Sequence, residues 1–274
     1  IMLPSSLQEI EMECFSHCDE LIWVQCDNVT TSQLQKIGTS AWEGATALQT
    51  MFWPVSLREI GDSAFSRCES LQTLELPVGS QLKIVGDNAF HACDSLEHVN
   101  LSHATLVRYL GTGAFQQCAK LATVQLPPGL QSLGAHVFTG CRQLRAIVLP
   151  STLVSIGDWA FFNCRHVFGD TGLLTLPSSL KHVGRFAFHN CRQLHHVQLG
   201  VNRILSRHIM ADHVFVGCSS LAKLELTEPV PLPIWPHLLH NWTKGQGGTL
   251  HRLGIEHPKS CVFYFLTENM DQLF

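Results

Sequence analysis

The chain has 274 residues, a formal net charge of −4, 45% hydrophobic residues and 11 cysteines. That charge balance offers no electrostatic footprint for nucleic acid or an anionic membrane. No run of 18 apolar residues exists to form a transmembrane helix, while the apolar content suffices for a continuous core.

From Leu3-Pro4-Ser5-Ser6-Leu7 onward, a phrase of about 23–27 residues recurs nine times. A period of this length is the signature of a solenoid of stacked coils. Its aromatic anchor is Phe15, Trp42, Phe65, Phe90, Phe115, Phe138, Phe161, Phe188 and Phe215. Three residues later stand Cys18, Ala45, Cys68, Cys93, Cys118, Cys141, Cys164, Cys191 and Cys218. Five residues before the anchor is an aliphatic residue, from Ile10 and Ile37 to Val183 and Met210. A Gly usually follows it, eroding to Glu11 and Ala211 in the terminal repeats, as end repeats of stacked arrays do.

After each Cys a short strand is predicted, with Leu71-Gln72-Thr73-Leu74-Glu75-Leu76 as its clearest copy. Period-two alternation turns Leu74 and Leu76 inward and Thr73 and Glu75 outward. Pairing with the next coil about 4.8 Å away gives a parallel sheet roughly 40 Å long. Pro77, Pro127, Pro150 and Pro177 end the strands, because proline lacks an N–H. On the other side of each coil, Asp62, Asp87, Asp158 and Thr39 occupy the place of N-caps for a short helical turn. The preceding Gly serves either a turn with positive φ or a close approach of backbones between coils.

Leu149-Pro150-Ser151-Thr152-Leu153-Val154-Ser155-Ile156-Gly157, followed by Ala160-Phe161 and Cys164, carries the phrase almost position by position. It resembles the BspA-like, treponemal-type class of leucine-rich repeat, and the resemblance covers about residues 3–226. It implies an α/β-type, right-handed, curved solenoid with a concave parallel sheet and short helical or irregular convex turns. Members of that class resemble bacterial surface and adhesion proteins. The resemblance implies no chemistry, since function lives in sites grafted on a fold.

Eight cysteines share one repeat register and read as a reduced ladder inside the coils, each a small hydrophobe. Ala45 in the same slot argues against bridging. A reduced ladder favours an intracellular or organellar compartment. Cys14, Cys26 and Cys261 show no Cys-x-x-Cys spacing, and burial is expected for Cys14 and Cys18. Three sequons, at Asn28, Asn100 and Asn241, point the other way, toward the cell surface. No polar cap precedes the first coil, so upstream residues or a partner are expected over that end.

Gly111-Thr112-Gly113 lies in repeat register and is no nucleotide loop; no P-loop, HExxH or GxSxG is present. His195 and His196, with His189, Cys191, His208 and His213 near them, form the one group with metal-ligand residue types, irregularly spaced. No catalytic residue, cofactor or metal site is predicted. The informative positions are the outward strand residues, expected to bind a protein partner on the concave face: Trp23, Phe52, Glu75, His98, Asn100, Gln125, Arg145, His196, Gln198 and Lys223. Trp23 and Phe52 lead as aromatic anchors, with Arg145 third. Insertions at 27–33, 78–83, 102–107 and 200–208 are expected along one rim, and one near 168–172 on another edge.

Residues 1–226 form the predicted repeat array. Residues 227–274 break the period and read as a C-terminal cap, with a Pro-rich entry at Glu228 to Pro236 and a last strand at Cys261 to Leu266. The expected function is a non-enzymatic protein–protein interaction module, a scaffold or accessory subunit of a larger assembly. The alternative is an extracellular adhesin or receptor-like surface protein. A metal-dependent enzyme would need His195 and His196 as ligands.

Overall fold

Two strands per coil follow from two short apolar patterns. The computed structural model describes residues 1–28, 30–169, 171–200, 210–211, 213–226 and 262–264. The first pattern is the alternating run after each Cys. It forms Trp23–Cys26, Thr50–Met51, Thr73–Glu75, His98–Asn100, Thr123–Gln125, Ala146–Ile147, Leu173–Leu176, His196–Leu199 and Lys223–Leu226. Along these strands exposed and buried residues alternate, with Leu74, Leu174 and Val197 fully buried. All parallel neighbours pair without slippage, for example Thr73↔His98↔Thr123↔Ala146.

The ladder is divided into three sheets. Met2–Leu3 pairs with Trp23–Cys26 at the first end, and Val262–Tyr264 runs antiparallel to Lys223–Leu226 at the last. The insertion at 168–172 lies where Ala146–Ile147 gives way to Leu173–Leu176, which the sheet does not join.

The second pattern, the residue pair before the Gly, forms a ladder that the sequence reading did not foresee. Glu9–Ile10, Lys36–Ile37, Glu59–Ile60, Ile84–Val85, Tyr109–Leu110, Ser132–Leu133, Ser155–Ile156 and His182–Val183 make one 8-stranded parallel sheet. Each second residue is buried, and each first residue faces out.

Between the ladders runs the core. The aromatic anchors form one continuous column from Phe15 through Trp42 to Phe215, with neighbouring rings stacked 5.1–5.7 Å apart. Beside it, every ladder thiol from Cys68 to Cys218 is buried and unbridged. Each donates to the carbonyl of the preceding coil's aromatic, as Cys93 Sγ does to Phe65 O at 3.1 Å and Cys118 Sγ to Phe90 O at 3.1 Å. Burial raises the Cys68 thiol to about 12, so it stays protonated at neutral pH. Cys14 and Cys18, both in the first coil, depart from expectation: both are exposed.

The turns between the ladders are not helical, and no helix occurs among the described residues. Two residues in each turn take left-handed backbone, such as Ser63 (φ 53) and Arg67 (φ 61), and a left-handed residue interrupts an α-helix. Backbone pairing alternates instead. Ala64 N and Ser66 N close local turns on Gly61 O and Ser63 O, while Ser63 N, Phe65 N and Arg67 N donate to Asp87 O, Ala89 O and His91 O of the next coil. Every N–H in the run is thus satisfied. The aspartates consequently do not cap a helix. Asp62 Oδ1 accepts from Asp87 N (2.8 Å), Asp87 Oδ1 from Thr112 N (2.6 Å) and Asp158 Oδ1 from Arg185 N (2.7 Å), so each clips its coil to the next.

Of the two roles open to the repeat Gly, close approach is the one observed. A Cβ on Gly61 would lie 2.8 Å from both Gly38 C and Thr39 N. The prolines open short turns, with Leu130 N donating to Pro127 O and Leu153 N to Pro150 O.

Candidate interaction surface

Because the strands stack in register, their outward residues become two parallel columns. One runs Trp23–Thr50, Thr73–His98–Thr123–Ala146 and Leu173–His196–Lys223; the next contains Glu75–Asn100–Gln125 and Thr175–Gln198–Glu225. Trp23, Glu75, His98, Gln125 and Arg145 are exposed. Phe52 is half-buried and packs against the core, which leaves less of its ring for a partner.

Several of these side chains are held by neighbours on adjacent coils. His98 Nδ1 lies 2.9 Å from Thr123 Oγ1. Thr175 Oγ1 donates to Gln198 Oε1 at 3.4 Å. Asn100 Oδ1 accepts from Ser102 N (3.1 Å) and Ser102 Oγ (2.7 Å), a local turn that fixes its amide at the strand end. Asn28 makes the same pair of bonds with Thr30, whereas Asn241 lies outside the described residues.

At the C-terminal end the two columns carry a charge cluster. Lys223 Nζ is 3.2 Å from Glu225 Oε2, and His196 Nε2 is 3.0 Å from the same oxygen without the alignment of a hydrogen bond. Burial lowers the His196 pKa below the ordinary histidine value, Lys223 adds to the depression, and Glu225 opposes it. That balance favours the neutral imidazole.

The face is not flat. A depression of about 500 Å³ is lined by Glu97, Lys120, Ala122, Thr123, Gln143, Arg145 and Ala146, where three successive coils meet beside the strands. Sequence reasoning found Arg145, but not Glu97 and Ala122, which share its repeat position, nor Lys120 and Gln143, two residues earlier in their repeats. Val148, just past the strand Ala146–Ile147, is 82% exposed.

A second surface on the turn side was also missed. His136, Trp159, Phe186 and His213 occupy successive left-handed positions and stack with centroids 6.1, 4.3 and 5.1 Å apart. Their faces cover one another, leaving edges outward. The signal was available, since each stands two residues before the aromatic anchor.

Of the insertions, 78–83 and 102–107 follow their strands and expose Val78 and Leu106. The segment 27–33 also follows its strand, with Val29 outside the described residues, as are 201–208 and all of 227–274 except 262–264. Among the described residues, no three His, Cys, Asp or Glu side chains gather to hold a metal ion. His208 also falls outside them. Nor, among those residues, is any helix long and apolar enough to cross a membrane.

Comparison with known proteins agrees with this geometry. The family description "BspA type Leucine rich repeat region" matches in 6 copies, over residues 1–107, 23–145 and 108–231. A leucine-rich repeat protein from Treponema pallidum is 30% identical over 71% of this chain and 77% of its own, with a TM-score of 0.52. A leucine-rich repeat protein from Bacteroides ovatus shares the fold at 23% identity and a TM-score of 0.57, over 82% of this chain. The chain spans 63% of the length of that protein. No curated protein sequence matches the chain.

Proposed function

Since the chain belongs to the BspA type leucine-rich repeat family, whose fold is generally a protein-interaction module, we propose that it is a non-enzymatic scaffold or accessory subunit that engages a protein partner through its longer-strand face. The observation that supports this reading most is the pair of in-register columns of outward polar residues, bordered by the depression at Lys120, Arg145 and Glu97. A regular sheet presents these side chains at fixed spacing from a backbone that is already ordered, which lowers the ordering cost of binding. Trp23 and Arg145, both exposed and of the types that dominate interfaces, are the anchors of the proposal, and the rim loops extend it.

The test is copurification from the native source with quantitative mass spectrometry. Trp23→Ala and Arg145→Ala are expected to deplete the same small set of partners at least fivefold. Arg58→Ala and Lys181→Ala, both exposed beside the shorter ladder, serve as comparison. Recovery unchanged by either face variant would contradict this assignment of the face.

A further inference from the structure

One edge of the solenoid carries charge in an order that, over its five central coils, is its own complement. The residue after the ladder Cys, taken coil by coil, is Asp19, Thr46, Glu69, Asp94, Ala119, Arg142, Arg165, Arg192 and Ser219. Acids occupy the first half, arginines the second, and Ala119 stands at the middle. The six charged members are all exposed, and none forms an ion pair within the described chain.

The residues are true vertical neighbours: Ser70 N donates to Thr46 O, Ser95 N to Glu69 O, and Gln193 N to Arg165 O. A second column, three residues further on, repeats the order as Glu97, Ala122 and Arg145, stacked through Ala122 N to Glu97 O and Arg145 N to Ala122 O, both 2.9 Å. Both columns change sign at the same coil.

From this we infer that the chain forms a two-fold symmetric dimer through this edge, with the second copy antiparallel and the axis passing at the coil of Ala119. That operation sets Asp94 against Arg142 of the other copy, Glu69 against Arg165, and Glu97 against Arg145, each pair occurring twice, as an isologous contact requires, while the outer Arg192 and Asp19 meet the uncharged Thr46 and Ser219. An unrelated anionic partner would use the arginines alone and leave Glu69, Asp94 and Glu97 facing nothing.

Stacking at about 4.8 Å also places like charges beside one another in the single chain, an unfavourable arrangement that the opposite array relieves. Lys120 is the one charge that the axis sets against its own copy. Because the contact is charged and exposed, the dimer is salt-sensitive and gains mostly in specificity and rate of encounter. The contact shares Glu97, Lys120 and Arg145 with the border of the longer-strand face and leaves Trp23 and the two strand columns free, so Asp94, Arg142, Glu69 and Arg165, which partner binding there does not use, carry the test.

Sedimentation analysis of the full chain tests it. A dimer is expected at low ionic strength, with its Kd weakened at least tenfold by 0.5 M salt, a concentration on the order of a 4 Å screening length. Asp94→Arg and Arg142→Glu should each be monomeric under the conditions where the wild type dimerises. Mixed one to one, they should form a heterodimer, because every facing pair then regains opposite signs. Lys120→Gln should tighten the wild-type dimer. Glu69→Arg with Arg165→Glu provides a second complementary pair, and unchanged circular-dichroism melts verify folding. A wild-type chain that stays monomeric at low salt, or reversal variants that fail to complement, would overturn the inference. Either result leaves the Trp23→Ala arm of the copurification experiment unaffected, since Trp23 takes no part in this contact.

Discussion

At the scale of single residues, repetition separates what the fold demands from what is free to serve binding. The aromatic slot accepts Phe eight times and Trp42 once, and the exception has a cost: Trp42 is fully buried and its Nε1 finds no hydrogen-bond partner. An unsatisfied buried donor costs about 1–3 kcal/mol. Restoring the consensus ring removes that cost and loses some buried area between Phe15 and Phe65, terms of similar size. Trp42→Phe is therefore expected to leave the urea midpoint unchanged or raise it. A loss beyond about 2 kcal/mol would show that the indole N–H is satisfied after all.

Such a cost could not be read from the sequence, where Trp42 looks like an equivalent anchor. The same is true of Cys14 and Cys18. Their residue type suggested burial, but exposure in the first coil depends on what covers that coil rather than on the repeat.

Among the elements, legibility followed the length of the pattern. The strands after each Cys were readable because Leu71 to Leu76 and its copies alternate over several residues, and the two outward columns emerged in the order expected. The shorter ladder escaped notice because Glu59–Ile60 and its equivalents are two residues long, too short to show a period. The helical turn was predicted from Gly-Asp-x-Ala-Phe, which carries an N-cap and a helix former. What the motif hides is backbone sign: Ser63 and Arg67 are left-handed, so the run alternates between local and inter-coil hydrogen bonds.

The repeat Gly belongs to this scale, since it sets the distance between elements. Gly61 has no left-handed φ, so an Ala there would ordinarily stabilise by reducing the freedom of the unfolded chain. Its Cβ would instead meet backbone of the preceding coil, which cannot swing aside. Gly61→Ala is expected to destabilise by about 1–3 kcal/mol in equilibrium urea unfolding. A stabilised variant would show that the coils are further apart than described.

For the molecule as a whole, stacking in register produces the dry interior, the binding face and the charged edge together. The face residues were legible as columns because the register is constant. The depression at Glu97, Lys120 and Arg145 was not, because it joins three repeats at turn positions that no single repeat marks as special. The order of charges along the edge was present in the sequence one residue after each Cys, and gains meaning only once those residues are neighbours in space.

The measurement that bears most directly on this stacking is native-state alkylation of the cysteines, resolved by peptide mass spectrometry. Cys14 and Cys18 should label within minutes, while Cys68, Cys93, Cys118, Cys141, Cys164, Cys191 and Cys218 should label only after denaturation, and then as free thiols. Labelling of those seven in the folded chain at the rate of Cys14, or their recovery as disulfides, would contradict the account.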